Sequence, residues 1–226
     1  MPQITPSSSL SVNNETISFS SRVRNLGVIL DNTLSMNAAI SKTKQACYLQ
    51  LRRISRIRPF ISENAAKQLV LSFVVSKLDY CNSLFYSITS ENLDKLQSIQ
   101  NNAARLVKKA SKQTNALHLL EELHWLPIRA RITFKIATFV FSALNTINSP
   151  VYLKELISPY RPSRPLRSQT KNLLEKPVPS LSFGKRAFTF SGPEIWNSLP
   201  DSVKSSDSLC TFKSRLKTHL FVESFF

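Results

Sequence analysis

Basic side chains are the residues of this sequence whose types and spacing most favour binding chemistry, and they form three clusters. The clusters are Arg52, Arg53, Arg56 and Arg58; Lys108, Lys109 and Lys112; and Arg161, Arg164, Arg167, Lys171, Lys185 and Arg186. A guanidinium group binds phosphate oxygens through paired hydrogen bonds, and an ammonium group binds them as a point charge. No acidic residue interrupts the first cluster. The clusters therefore predict contacts with a phosphate backbone.

The overall charge supports this prediction. The chain has 226 residues with 30 Lys and Arg against 14 Asp and Glu, which gives a net charge of +16. Residues 46–62, 105–116 and 161–186 together supply 14 of those 16 charges. Such a surface attracts polyanions and is not typical of a neutral cytosolic enzyme. The alternative is that these clusters are solvated helix faces and a basic linker without a ligand.

Catalytic groups are sparse by comparison. Nucleotidyl transfer by metal ions needs clustered carboxylates, and Glu121-Glu122 is the only adjacent acidic pair. Asp31 follows a predicted strand, where a turn or capping role is the better interpretation. The three histidines have no Cys or His partner at zinc-ligand spacing. We therefore predict no catalytic residues, no metal site and no cofactor in this chain.

The cysteine pattern and the N-terminus bear on the compartment. Cys47, Cys81 and Cys210 are odd in number and far apart, so no disulfide framework is predicted. The first residues lack the basic and apolar regions of a secretory signal. The most apolar stretch, residues 132–144, is too short to span a bilayer. We expect an intracellular protein of the cytoplasm or the nucleus, not a secreted one.

Apolar periodicity predicts a mainly α fold. Alternation predicts a β-hairpin within residues 9–19, and the run 26–30 predicts a buried strand. From about Leu34 the period becomes helical, and Pro59 ends the first helix. Further helices are predicted after Ser62, after Ser90, and over residues 117–123, 127–144, 150–157 and 207–221.

Positions on the apolar side of these helices form the predicted core. They are Ile40, Cys47, Leu51, Ile54, Leu69, Val70, Phe73, Val74, Leu93, Leu96, Ile99, Ala103, Ile132, Ile136, Phe139, Val140, Ala143, Leu209, Phe212, Leu216 and Leu220. The stretch 158–186 contains five prolines and predicts an extended basic arm. An apolar cluster follows it around Gly192-Pro193, formed by Phe188, Phe190, Trp196 and Leu199.

Eight segments resemble one family in their order along the chain. They are VRNLGVILD (23–31), LRRISRIRPF (51–60), SKLDYCNSLFY (76–86), LQSIQNNAARLV (96–107), LHWLPIRARITFK (123–135), SRPLRS (163–168), GKRAFTFSGPEIWNSLP (184–200) and TFKSRLKTHLF (211–221). Together they are similar to the C-terminal part of the open reading frame 2 protein of non-LTR retrotransposons (LINE, jockey-like). That protein carries an endonuclease and a reverse transcriptase.

The resemblance implies three parts. Residues 1–33 resemble the end of the polymerase palm, residues 34–157 the helical thumb, and residues 158–226 a C-terminal extension with the basic arm. The family's catalytic Asp-Asp loop and its divalent metal belong to an upstream part, and this sequence has no Asp-Asp pair. The start at Met1, just inside the palm, suggests a truncated copy or a partial gene model. Although the parent family is an RNA-directed DNA polymerase, we expect no polymerase activity from this chain alone.

The expected function is binding of a nucleic-acid backbone, such as a primer–template duplex or a template RNA, without a catalytic centre of its own. No small-molecule substrate is expected. One alternative is an inactive helical remnant of a retroelement or a protein-interaction module. A weaker alternative is association with an anionic membrane through the last helix, which carries Lys213, Arg215 and Lys217.

Overall fold

The computed structural model describes residues 9–13, 15–18, 20–146, 149–161, 172–178 and 182–226. It is mainly helical, with two small antiparallel hairpins at the N-terminus. The prediction of a mainly α fold is therefore confirmed. The parts that would identify a polymerase palm or thumb remain an expectation from the resemblance.

The first hairpin lies where alternation predicted it. Strands β1 (Ser9–Val12) and β2 (Glu15–Ser18) pair with Ser9 opposite Ser18. A second hairpin joins β3 (Arg22–Asn25) and β4 (Val28–Asp31). Its turn residues, Leu26 and Gly27, both have positive φ, which suits a two-residue hairpin turn.

The second hairpin corrects the prediction of a buried strand over residues 26–30. Leu26 lies in the turn and is 83% exposed, because the positive φ that Gly27 permits reverses the chain at this point. The strand begins at Val28 and is half-buried along its length. Tyr80 donates a hydrogen bond from Oη to the backbone O of Leu26 at 2.6 Å, which ties the turn to the helices.

Helix α1 (Asn37–Ile57) has the predicted buried side of Ile40, Cys47, Leu51 and Ile54. It begins three residues later than predicted because Leu34 and Met36 adopt positive φ. The Asp31 carboxylate stabilises the turn that precedes α1. It accepts hydrogen bonds from the backbone N of Ser35 at 2.8 Å and from that of Met36 at 3.0 Å. Asp31 thus has the turn role that was one of its two predicted roles, whereas α1 itself has no side-chain cap.

Helix α2 (Glu63–Val70) begins after Ser62, whose Oγ accepts a hydrogen bond from the backbone N of Ala65 at 3.2 Å. It runs through a π-helical turn, Leu71–Val75, into α3 (Ser76–Asp79). Val70 and Val74 are buried as predicted, but Phe73 is 47% exposed. The wider π turn shifts the helical phase, and this shift carries Phe73 off the buried side.

Helices α4 (Ser90–Lys108), α5 (Ala116–Glu122) and α6 (Ile128–Asn145) follow. Helix α4 is capped by Thr89, one residue before the predicted position, and Pro127 precedes α6 as its cap. Leu96, Ile99 and Ala103 of α4 are buried, as are the predicted core residues of α6 except the half-buried Phe139. Helix α7 (Val151–Glu155) is short and carries no buried residue.

The C-terminal part is more helical than its prolines predicted. Residues 188–198 form helix α8 (Phe188–Ser198), with Pro193 inside it, and α9 (Asp201–Lys204) and α10 (Leu209–Phe225) complete the fold. Gly192 explains the close packing of α8 on α6, because a Cβ there would lie 3.1 Å from Cγ2 of Val140. The predicted apolar cluster is confirmed: Phe190, Trp196 and Leu199 are buried and Phe188 is half-buried.

One hydrophobic core extends from Met36 to Leu220. Phe141 of α6 stacks on Phe212 of α10 with ring centroids 4.3 Å apart, and Trp196 of α8 lies 6.0 Å from Phe212. Buried residues from both sides of position 158 thus pack together. The apolar side of α10, with Leu216 and Leu220, belongs to this core and does not face solvent.

Candidate nucleic-acid interface

Three arginines of α1 form an exposed basic face. Leu51 and Ile54 direct the other side of the helix into the core, so Arg52, Arg53 and Arg56 point to solvent. Helix α1 contains no acidic residue that could pair with them. Within the residues that the structure describes, none of the three guanidinium groups forms a hydrogen bond or an ion pair. We call this surface the arginine face.

A groove lies between the C-terminal ends of α1 and α4. Its volume is about 540 Å³. The lining residues are Ser55, Arg58, Pro59, Asn102, Arg105, Leu106, Lys109, Ala110 and Lys112. Arg52 and Arg56 lie on the same side of α1 because they are four residues apart, and Ser55 connects that side to the groove. We call this the basic groove.

The basic groove brings Arg58 of the first predicted cluster next to Lys109 and Lys112 of the second. Lys109 and Lys112 are exposed in its lining. Lys109 has a positive φ at the C-cap of α4, and this conformation turns the chain so that Lys112 reaches the same surface. Arg105, which we did not predict as a site residue, also lines the groove and donates from Nη2 to the backbone O of Thr114 at 3.2 Å.

Arg58 differs from the other members of its cluster because it points inward and is only 6% exposed. Its guanidinium donates from Nε to the backbone O of Leu106 at 3.0 Å, from Nη2 to that of Val107 at 2.7 Å and from Nη1 to that of Ile61 at 2.9 Å. Carbonyl groups at a helix C-terminus lack intrahelical donors, and a cation is favourable there. Arg58 thus builds the wall of the groove rather than its open surface.

Lys108 lies outside the groove lining and has carboxylate partners. Its Nζ is 2.9 Å from Oε1 of Glu63 and 3.1 Å from Oε2 of Glu122. The hydrogen bonds to Glu63 and then to Glu122 raise the pKa of Lys108 above its usual range. The ion pairs join the ends of α2, α4 and α5, and they neutralise a cation that the sequence assigned to ligand binding.

Phe60 is an exposed aromatic residue beside the basic groove. It was not among the predicted site residues. It follows Pro59 in the 3₁₀ turn Arg58–Phe60, and it is 87% exposed. Its ring makes no aromatic stacking contact within the described part of the chain. An exposed ring next to cations is the arrangement on which single-stranded bases stack.

The third cluster is only partly within the described residues. Arg164, Arg167 and Lys171 lie outside them. Arg161 and Lys185 are exposed, whereas Arg186 is half-buried and donates to the backbone O of Ser87 at 3.4 Å and to that of Leu34. Arg161, Lys185 and Arg186 are not among the residues that line the basic groove.

Histidines, cysteines and carboxylates of the described residues form no group of three or more that could hold a metal ion. The Asp31 pKa is lowered to about 2, chiefly by the hydrogen bond from Thr33 and then by those from Ser35 and Met36. Burial raises the pKa of the Cys47 thiol to about 11, so this thiol stays protonated at neutral pH.

Comparisons of the chain with protein-family models, with curated proteins and with solved structures found no match. Among the described residues, no helix combines the length and the apolar character that a membrane crossing requires.

Proposed function

We propose that this protein binds the phosphate backbone of nucleic acid through the arginine face and the basic groove. The observation that carries the proposal is that Arg52 and Arg56 of the arginine face neighbour Ser55 on α1, and that Ser55 lines the groove together with Lys109 and Lys112. These four basic side chains are exposed. Cations gathered along one surface match a polyanion better than scattered ones.

The contacts are expected to be independent of sequence. Guanidinium and ammonium groups on an exposed helix face reach phosphate oxygens, whereas base recognition needs side chains that enter a groove of the nucleic acid. Phe60 adds a stacking surface that accepts any base. The proposed ligand is therefore a primer–template duplex or a template RNA, held by its backbone and by an unpaired base.

The resemblance to the C-terminal part of non-LTR reverse transcriptases supports the same function. By that resemblance residues 34–157 would be a thumb, the part of a polymerase that holds the duplex, and residues 1–33 would be the end of the palm. The chain would then bind nucleic acid inside the cell without a catalytic centre of its own. The arm with Arg161, Arg164, Arg167, Lys171, Lys185 and Arg186 would add backbone contacts.

A salt titration tests this proposal. Fluorescence anisotropy of a labelled RNA–DNA hybrid would be measured with the protein at several salt concentrations. Each neutralised phosphate contributes about 0.9 log unit of affinity per log unit of salt for duplex DNA, so three or more contacts give a slope of about −3 or steeper. A peptide nucleic acid of the same sequence, which has no backbone charge, is the matched control. A slope near zero would overturn the proposal.

A further inference from the structure

A second cleft lies between helices α2 and α3 and the start of α6. Its volume is about 550 Å³, within the range of small-molecule sites. It shares no lining residue with the basic groove. Leu71, Leu123, Trp125 and Phe134 supply apolar surface to its wall. The cleft therefore offers an apolar wall of a size suited to one heteroaromatic ring and its substituents.

Two hydrogen-bond acceptors of this cleft have no donor. Asn82 is only 3% exposed, and its Oδ1 has no hydrogen-bond partner among the described residues. Oδ1 of Asp79 is buried and without a partner in the same part of the chain, whereas its Oδ2 accepts from Nη1 of Arg131 at 2.7 Å. Buried acceptors without donors are rare in proteins and are unfavourable. Asp79 and Asn82 line the cleft, so rotation of these side chains would present the two oxygens to a ligand that brings N–H groups.

Three lysines surround the same cleft. Lys67, Lys135 and Lys217 are among its lining residues; Lys67 is half-buried, and the other two are exposed. No ion pair to a carboxylate is formed by any of them within the described residues. They come from α2, α6 and α10, so their charges converge on the cleft from three helices. This arrangement indicates that the ligand also carries an anionic group.

We propose that this cleft binds a cytidine nucleotide, whose single-ring base carries an exocyclic amino group. The apolar wall covers the base, the amino group donates to the unpartnered oxygens of Asp79 and Asn82, and the lysines pair with the phosphate. An amino group has two N–H donors, which is the number that the two oxygens need. This site is separate from the proposed backbone contacts, and its test does not depend on them.

The same chemistry predicts discrimination against uracil. Uracil presents a carbonyl oxygen where cytosine has its amino group. That oxygen cannot donate a hydrogen bond, so it and the Oδ1 atoms of Asp79 and Asn82 would all stay unpaired. Leaving buried polar groups unpaired is the strongest source of ligand selectivity. We expect cytidine monophosphate to bind at least about tenfold more tightly than uridine monophosphate.

Isothermal titration calorimetry on the full chain tests the proposal with cytidine monophosphate, uridine monophosphate and cytidine. The variant Asn82→Leu, which replaces the amide by an apolar group of similar size, should keep the fold and reduce the preference for cytosine severalfold. The double variant Lys67→Gln/Lys217→Gln should lower the affinity for cytidine monophosphate to that for cytidine. Quenching of tryptophan fluorescence should be lost in Trp125→Phe and kept in Trp196→Phe.

Each measurement can also overturn the proposal. Absence of cytidine monophosphate binding at millimolar concentration would overturn it, as would equal affinities for the cytidine and uridine nucleotides. An unchanged preference in Asn82→Leu would show that the unpartnered oxygen does not contact the base. An unchanged affinity in the lysine variant, whose side chains are outside the core, would exclude the phosphate contact independently of any effect on folding.

Discussion

The guanidinium of Arg58 donates from Nη2 to the backbone O of Val107 at 2.7 Å. Its Nε also donates to the backbone O of Leu106, so the two hydrogen bonds connect the end of α1 to the last carbonyl groups of α4. Because the basic groove lies between these two ends, the angle between them determines how the cations of both clusters face one ligand. A buried arginine thus supports a surface that exposed basic residues form.

Replacement of Arg58 should destabilise the fold. Arg58→Met keeps much of the side-chain volume but removes the donors of three backbone carbonyls, and charged hydrogen bonds contribute about 1.5–3 kcal/mol each before compensation by water. We expect a loss of about 2–4 kcal/mol in the free energy of unfolding, measured by urea denaturation. Arg52→Met on the exposed face should change it by less than about 0.5 kcal/mol. Equal effects of the two substitutions would contradict the structural role of Arg58.

Removal of the carboxylates that hold Lys108 should strengthen nucleic-acid binding. Glu63→Gln/Glu122→Gln removes both ion-pair partners of Lys108 and two negative charges near the basic groove. The affinity for a duplex should rise about threefold to tenfold, and the salt slope should steepen by about 0.9 as Lys108 becomes available to a phosphate. Anisotropy titrations would measure both quantities.

The control for that experiment changes the net charge equally at a distant place. Asp207→Asn/Glu223→Gln removes two exposed carboxylates, one just before α10 and one near its end. A similar gain in affinity for this variant would mean that net charge alone, and not the freed Lys108, explains the effect.

Asp31 should make the free energy of unfolding depend on pH under acidic conditions. Its folded-state pKa of about 2 lies below the ordinary value of 3.8, so its contribution is fully present above about pH 4. The contribution is lost as the pH falls from about 4 to 2. Because the carboxylate is partly solvated, we expect about 1 kcal/mol from this effect. Urea unfolding of the protein and of Asp31→Asn would be compared at pH 5 and pH 2. The difference between their free energies of unfolding should be smaller at pH 2, and an equal difference at both pH values would contradict this prediction.

Phe60 should contribute to binding of single strands more than of duplexes. Stacking of one base on an aromatic ring is worth about 1–3 kcal/mol, so Phe60→Ala should weaken binding of single-stranded RNA about tenfold or more. Its free energy of unfolding should stay within about 0.5 kcal/mol because the ring is already exposed. Phe73→Ala is the matched control, since Phe73 is also exposed but, unlike Phe60, does not adjoin a residue of the groove lining. Equal losses in both variants would exclude a specific role for Phe60.

The helices that follow an uninterrupted 3.6-residue period could be predicted from the sequence, as in α1, where Ile40, Cys47, Leu51 and Ile54 share the buried side. Phe73 was wrongly predicted to be buried, because the π turn changes the direction in which its side chain points. The local sequence gives no sign of that turn. Helix α8 was not predicted because a proline inside a helix removes a backbone hydrogen bond, so Pro193 argued against a helix there. Its packing against α6, where Gly192 approaches Val140, depends on residues about fifty positions apart.

The candidate site could be predicted only in part. The arginine face follows from local spacing, but the groove depends on tertiary contact between the ends of α1 and α4. One signal for Arg58 was present in the sequence: it lies four residues after Ile54 and seven after Leu51, on the buried side of α1. Nothing in the sequence pattern indicated that Glu63 and Glu122 converge on Lys108, or that Asp79 and Asn82 share a cleft.

The most direct test of the account compares two charge reversals on the same hybrid duplex. Arg52→Glu/Arg53→Glu/Arg56→Glu alters the arginine face, whereas Lys42→Glu/Lys44→Glu/Lys213→Glu changes the net charge equally at exposed positions outside the groove lining. The account predicts that the first variant loses at least about a hundredfold in affinity at low salt and flattens the salt slope by about 2 to 3. The second should lose much less. Equal losses, or retention of full affinity by the first variant, would contradict the account.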